Sequence, residues 1–328
     1  MPVDEEVQYS RDAVIRAIHD YESFLVRMYM SPSRMAEPPA TGWPKITIDR
    51  YRAFGKTDEV VELLRRLPII TGETHNPWNT RPHCAGNDSQ FYDFTFEGRA
   101  DPRQPLSEDQ GERLRGQTQG SGKWVPPHVL GLISGSESRA RWLLDTKNGT
   151  IRWIECPFDL VGAMPNDTES ELEYNVSEDF DQVGNQDGEQ TDDEASGSDA
   201  DAVDNESFGS SGDQPDLDED QSDRDEEDNY SDDNTDGDKT WNISDFFQLL
   251  KKQFRTLRWV PISDKIVLDP EHEIEQDMLQ EVRGIWHEHG WPEAEADGTF
   301  DKEACLAHIR RVVEEKYPDR AGELDAYP

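Results

Sequence analysis

The sequence predicts an α+β protein with a small antiparallel sheet, whose central hairpin packs against several helices, interrupted by a long disordered acidic insertion. Three observations carry this prediction. Two strand-like runs flank an Asn-Gly pair, amphipathic helices are predicted on both sides of that hairpin, and an acid tract separates the hairpin from the next helix. We expect residues 1–165 and 240–328 to be two parts of one domain and residues 166–239 to be the insertion.

The hairpin is predicted by the segment RARWLLDTKNGTIRWIECP. Its Asn-Gly pair favours the positive φ angles of a tight turn between two strands. Trp142 and Leu144 alternate on one side of the first strand, and Ile151 and Trp153 on one side of the second. We expect Asp145, just before the turn, to accept hydrogen bonds from turn amides rather than to act in catalysis.

Helices are predicted where apolar residues recur every three or four positions. The segments are RDAVIRAIHDYESFLVRMYM, TDEVVELLRRLP, WNISDFFQLLKKQF, EIEQDMLQEVRGIWHEHG and DKEACLAHIRRVVEEKYP. The expected N-caps are Ser10, Thr57, Ser244 and Asp301. The alternation in FYDFTF (91–96) predicts a strand, and the polar stretch from Gly98 to Gly122 predicts a surface loop.

The negative charge of the chain is concentrated in the acid tract. Of 72 acidic and 33 basic residues, 30 acidic and two basic ones lie at 166–239, so the tract carries −28 and the remainder −11. The tract contains too few apolar residues to offset the ordering entropy of about 1–2 kcal/mol per residue, which predicts disorder.

The tract also carries a modification pattern. Ser or Thr followed three residues later by Asp or Glu is the pattern that an acidophilic kinase of the casein-kinase-2 type selects, and each phosphate would add further negative charge. The candidate phosphorylation sites are Thr168, Ser170, Thr191, Ser196, Ser198, Ser210, Ser222 and Thr235.

Composition argues against several classes of protein. We expect neither a signal peptide nor a membrane span, because the N-terminal residues lack a basic and an apolar region and no apolar run approaches a bilayer's length. Three distant cysteines favour a reducing compartment. The mildly acidic remainder has no dense basic face for nucleic acid. We therefore expect an intracellular protein, cytoplasmic or nuclear, with no membrane or nucleic-acid partner.

One loop contains residues suited to chemistry. His75, His83 and Cys84 lie in THNPWNTRPHCAG, with Asp88 and Asp93 nearby. They could form a zinc site or a Cys-His nucleophile pair. However, adjacent His and Cys chelate poorly and no CxxC or HxxxH pair occurs, so we favour an ordinary polar loop and expect no cofactor.

Two other motifs are weaker. GQTQGSGKW contains Gly-Ser-Gly-Lys, but Gln117 and Trp124 stand where a phosphate loop requires Gly and Ser or Thr. His287 and His289 are two positions apart at a helix end and cannot share one helical face, so we expect His289 to pack or cap the helix rather than to bind a ligand.

The hairpin followed by an aromatic helix resembles the C-terminal half of the SUKH superfamily, which includes fungal cell-wall-synthesis regulators and bacterial immunity proteins. The residues that carry the resemblance are Leu144, Asp145, Gly149, Ile151, Trp153, Ser244, Phe246, Phe247 and Leu250. They cover about a quarter of the chain. The whole chain also resembles filamentous-fungal proteins without an assigned activity. The SUKH resemblance implies an α+β domain that binds proteins and catalyses nothing.

Three functions follow as hypotheses. The preferred one is a non-catalytic intracellular protein-interaction or regulatory module, not an enzyme. The alternative is an acidic chaperone-like protein that binds basic partners through 166–239. A third is a hydrolase or metalloenzyme that uses the loop from His75 to Asp93.

Overall fold

The predicted hairpin forms the centre of a four-stranded antiparallel sheet. The computed structural model describes residues 9–72, 81–86, 88–95, 101, 104–120, 124–134, 141–157, 160, 238–269 and 276–325. The strands are β1 (Met35–Ala36), β2 (Ile69–Ile70), β3 (Gln90–Phe91), β4 (Val129–Gly131), β5 (Ile133–Ser134), β6 (Arg141–Asp145), β7 (Thr150–Ile154), β8 (Lys239–Asn242), β9 (Val260–Pro261) and β10 (Val267–Leu268). The main sheet has the order β4-β6-β7-β8, and the short strands pair as β1-β2, β3-β5 and β9-β10.

Helices precede, separate and follow these strands in the chain. They are α1 (Arg11–Met28), α2 (Ile48–Tyr51), α3 (Asp58–Leu64), α4 (Glu108–Gln119), α5 (Ile243–Arg255), α6 (Gln276–Glu288), α7 (Glu293–Ala296), α8 (Lys302–Lys316) and α9 (Pro318–Asp325). Helices and small antiparallel sheets together confirm the α+β class. None of the helices within the described ranges has the length and apolar character needed to cross a bilayer.

The inner face of the sheet carries three tryptophans. Trp142 pairs across the strands with Trp153, and Trp241 lies opposite Ile151. All three indoles pack around Phe246 of α5, with ring centroids 5.1, 5.9 and 5.9 Å away. The alternation along β6 and β7 predicts that one face of the hairpin is buried. This is confirmed, because Trp142, Leu144, Ile151 and Trp153 are all buried.

Strands from both sides of the acid tract share this core. β7 precedes the tract and β8 follows it, and the two pair in antiparallel register from Thr150–Asn242 to Trp153–Lys239. Helix α1 packs on α5, for example through Tyr21 and Phe247, whose ring centroids are 5.2 Å apart. The described residues up to 160 and from 238 onward therefore belong to one compact unit.

The structure corrects the predicted loop between Gly98 and Gly122. Helix α4 lies inside it and begins with a reciprocal capping box between Ser107 and Gln110. The apolar pattern that predicts a helix is absent here, because the buried face of α4 contains mostly small or polar residues. Its backbone lies so close to the sheet that a Cβ on Gly131 would lie 2.0 Å from the Thr118 carbonyl oxygen.

Three local predictions also change. The N-cap of α5 is Asn242 rather than Ser244, because the Asn242 side chain accepts the Asp245 amide at 2.9 Å. The hairpin turn is a four-residue loop, in which Gly149 has positive φ (70°) but Asn148 does not. The strand predicted at 91–96 ends at Phe91, and position 96 lies outside the described residues.

The other N-caps are confirmed. Ser10, Thr57 and Asp301 each accept a hydrogen bond from the backbone amide three residues later. Such caps satisfy donors that have no partner within the helix. The acidic insertion lies outside the described residues except for Asp238 and Lys239, and β8 starts at Lys239, one residue before the boundary predicted at 240.

The contact between α4 and β4 leads to a stability prediction. Gly131→Ala should lower the free energy of unfolding by about 1–3 kcal/mol, because the new methyl group would overlap a backbone carbonyl. The matched control is Gly284→Ala in α6, where no atom lies within 4 Å and alanine should stabilise the helix by about 0.5–1 kcal/mol. Urea unfolding of both variants measures the difference, and equal stability would contradict this packing.

Candidate interaction site

The loop that contains His83 and Cys84 is a buried connection between α1 and the β9-β10 pair. The hydroxyl groups of Tyr29 and Tyr21 donate to the backbone carbonyls of His83 and Cys84, respectively. From the other side, the His83 amide donates to the Lys265 carbonyl at 2.8 Å. These bonds satisfy backbone groups that would otherwise be buried without partners.

The His83 ring is part of the same connection. Its Nδ1 accepts the Val267 amide at 3.3 Å, and Asp88 lies 3.5 Å from the same nitrogen. Burial lowers the pKa of His83 although Asp88 opposes the shift, so the ring is neutral at pH 7. A ring nitrogen that accepts a backbone amide is occupied by a structural bond.

The Cys84 thiol is not activated. Burial raises its pKa well above the usual range, and the nearby Glu22 raises it further, so the thiolate needed for nucleophilic attack is disfavoured. Asp93 accepts the amide and hydroxyl of Thr95 in a local turn. His75 lies outside the described residues, and within them no three His, Cys, Asp or Glu side chains come together as a metal site.

Asp145 shapes the hairpin loop as expected. Its Oδ1 accepts the amides of Lys147 at 2.7 Å and Asn148 at 3.0 Å. Gly120, the first residue of the Gly-Ser-Gly-Lys motif, is the C-cap of α4, and the rest of the motif lies outside the described residues. A helix C-terminus presents carbonyls and partial negative charge, unlike the amides that bind phosphate. Trp124, which follows this motif, is 61% exposed.

Helix α1 carries a buried acid that the sequence prediction missed. Glu22 is 1% exposed, and its Oε2 has no hydrogen-bond partner among the described residues. It lines a cavity of about 20 Å³ with apolar side chains such as Ile18 and Phe91, large enough for one water molecule. The signal was present, because Glu22 lies four residues after Ile18 and three before Leu25 on the apolar face.

A largely buried ion pair joins β7, which precedes the acid tract, to Asp238 near the tract's C-terminal end. Arg152 of β7 lies 2.9 Å from Asp238, whose side chain is 6% exposed. Asp238 also accepts the Glu155 amide at 3.1 Å. Residues on both sides of the tract are thus held together at one point of the sheet. The candidate phosphorylation sites from Thr168 to Thr235 lie outside the described residues, but the acid three positions after Thr235 is this buried Asp238.

The described residues also form an open groove of about 580 Å³, which we call the basic groove. Its walls come from the segment after α1, the turn between β9 and β10, α8 and α9. The basic side chains in these walls are Arg34, Lys265, Lys302 and Arg310. The acidic ones are Asp264 and Glu303, and apolar ones include Ile262, Leu306 and Leu324.

The four basic residues differ in role. The Lys302 ammonium group donates to the carbonyls of Val26 and Met30 at 2.9 and 2.8 Å, so it caps the C-terminus of α1. Arg310 is exposed on α8 and pairs with Glu314 at 3.0 Å, an ion pair in solvent. A groove with one largely buried lysine and with further cations at its edge is suited to an anionic group that approaches from solvent.

The comparisons with known protein families, curated proteins and solved structures gave no significant match. The resemblance to the SUKH superfamily and to filamentous-fungal proteins stays a prediction. The proposed function therefore depends on the arrangement of side chains in the described residues.

The buried Glu22 predicts a pH effect on stability. Burial raises the pKa of Glu22 well above the usual range, and the nearby Glu37 raises it further. The folded state therefore keeps a proton that the unfolded chain loses at roughly pH 4.3. Stability contributed by protonated Glu22 is complete below that pH and is lost as pH rises toward the raised pKa.

Glu22→Gln should remove this loss. Above roughly pH 4.5, the free energy of unfolding of the variant minus that of wild type should increase by up to about 1.4 kcal/mol per pH unit. Urea titrations at several pH values measure the gain, and Glu288→Gln, at an exposed position of α6, is the control. A constant difference across pH would show that Glu22 is ionised in the fold.

Proposed function

We propose that this chain is a non-catalytic protein-interaction module whose basic groove binds an acidic segment of a partner protein. The observation that supports this proposal is the groove itself. It brings cations from separate parts of the chain to one open site, although the chain outside 166–239 carries a net charge of −11. A local concentration of positive charge in an acidic protein selects for anionic partners.

The shape of the groove favours a peptide over an isolated anion. Ile262, Leu306 and Leu324 line it beside the charged side chains, and Leu324 is largely buried. An acidic segment with an aliphatic or aromatic residue would contact both kinds of surface. Polar contacts at the rim would provide specificity and apolar contact would add affinity, as in known interfaces.

The acid tract supplies a second candidate function, in which 166–239 binds basic proteins. The observation that favours it is the Arg152–Asp238 ion pair, together with the bond from the Glu155 amide to Asp238. These contacts hold Asp238, near the C-terminal end of the tract, beside β7. The tract would then be presented to partners from a fixed point, and its affinity would be mainly electrostatic.

The groove proposal predicts a change in peptide affinity. Lys265→Ser combined with Arg310→Ser should weaken binding of a short fluorescein-labelled peptide, rich in Glu with one Leu, about tenfold, since two partly exposed charges contribute roughly 1.4 kcal/mol together. Fluorescence anisotropy measures the dissociation constant. The matched control is Arg52→Ser with Arg66→Ser, which removes the same charge at exposed positions that do not line the groove.

The same variants separate the two functions. Equal peptide affinity in the groove variant and in its control would contradict the groove proposal. A Lys-rich peptide should bind the tract with strong salt dependence, and the groove variant should leave that binding unchanged. If the Lys-rich peptide loses binding only when a Gly-Ser linker replaces residues 166–235, the second function is supported.

A further inference from the structure

Two histidines from neighbouring helices face each other beyond the end of α6. His289 follows α6 directly, and His308 lies in the middle of α8. The His289 Nε2 and the His308 Nδ1 are 3.3 Å apart, and the ring centroids are 5.5 Å apart at an interplanar angle of 64°. Both side chains are half-buried, so the pair is partly shielded and still open to solvent.

The separation of these two nitrogens matches a metal site. Imidazole binds zinc at about 2.0–2.1 Å in tetrahedral geometry, which places two ligand nitrogens about 3.3–3.4 Å apart. Imidazole also suits copper and nickel. Without metal, the two nitrogens make one N–H···N hydrogen bond, which is longer than an ordinary one and which a bound metal ion would replace.

The surroundings of the pair favour a cation. His289 lies at the C-terminus of α6, where the helix dipole is negative. Glu281 lies on α6 about two turns before His289 and bonds to Lys316 and Tyr317. The Lys316 hydrogen bond is the first cause of the lowered pKa of Glu281, and the electrostatic interaction with His308 lowers it slightly further.

Helix packing fixes the position of both histidines. On α8, Cys305 and Ile309 on either side of His308 are fully buried. On α6, Ile285 and Trp286 are buried just before His289, and the His289 amide donates to the Ile285 carbonyl at 3.1 Å. Because these buried neighbours position the backbone, the two rings are held near each other without a ligand. Such preorganisation lowers the cost of binding.

We propose that His289 and His308 form a binding site for a divalent transition-metal ion, with Zn²⁺ as the expected occupant. Two imidazoles supply two coordination positions, and water would complete the coordination. The described residues bring no third His, Cys, Asp or Glu into the same group, so affinity should be lower than in closed four-ligand zinc sites. The site would link α6 to α8 and is independent of the basic groove.

Zinc binding by the full chain tests this proposal. Isothermal titration with ZnCl₂ in excess Mg²⁺ should reveal a site with one ion per chain, because Mg²⁺ occupies the carboxylates of the acid tract and binds imidazole poorly. His289→Gln and His308→Gln should each weaken this site at least tenfold. His287→Gln is the matched control, since the His287 ring bonds to the Trp291 carbonyl at 3.1 Å and does not face the pair.

A second measurement on the wild-type chain covers the case in which a variant fails to fold. Zn²⁺ should protect His289 and His308, but not His287, from diethyl pyrocarbonate, with the modified positions read by mass spectrometry. Equal zinc affinity in folded His289→Gln, His308→Gln and His287→Gln variants would overturn the proposal. Protection of neither His289 nor His308 by Zn²⁺ would overturn it as well.

Discussion

The packing of three tryptophans around Phe246 is the interaction on which the fold depends. Trp142 and Trp153 come from the hairpin before the acid tract, whereas Trp241 and Phe246 come from the strand and helix after it. Each such aromatic pair contributes roughly 0.5–1.5 kcal/mol beyond the burial of its area. Neither the residues before the tract nor those after it can complete this core alone. One compact unit therefore contains residues from both sides of the tract.

This core also explains how an extreme composition coexists with an ordinary fold. The tract connects the neighbouring antiparallel strands β7 and β8, and the Arg152–Asp238 ion pair joins β7 to the residue before β8. Closing a long loop costs only about 0.6 kcal/mol for each doubling of its length, so a hairpin can accommodate such an insertion. The negative charge dominates the composition, but the folded residues determine which surfaces are available to partners.

Local chemistry allowed much of the fold to be predicted. The hairpin, the caps at Ser10, Thr57 and Asp301, and the turn role of Asp145 depend on residues close in sequence, so their patterns are visible without the structure. Helix α4 was missed because its buried face lacks the apolar periodicity that sequence methods need. Its capping box could have revealed it.

The candidate sites were harder to predict because they join distant residues. Cations from three segments meet in the basic groove, and no spacing rule connects Arg34 with Arg310. The His289–His308 pair likewise depends on how α6 packs against α8. The loop of His83 and Cys84 contains suitable residue types, but burial places them in a structural connection between α1 and the β9-β10 pair.

The most direct test of the single shared core is urea unfolding of a chain in which a short Gly-Ser linker replaces residues 166–235. The account predicts one cooperative transition and a free energy of unfolding equal to wild type or higher by up to about 2 kcal/mol, because the shorter loop loses less entropy on closure. A non-cooperative transition or a large loss of stability would contradict it.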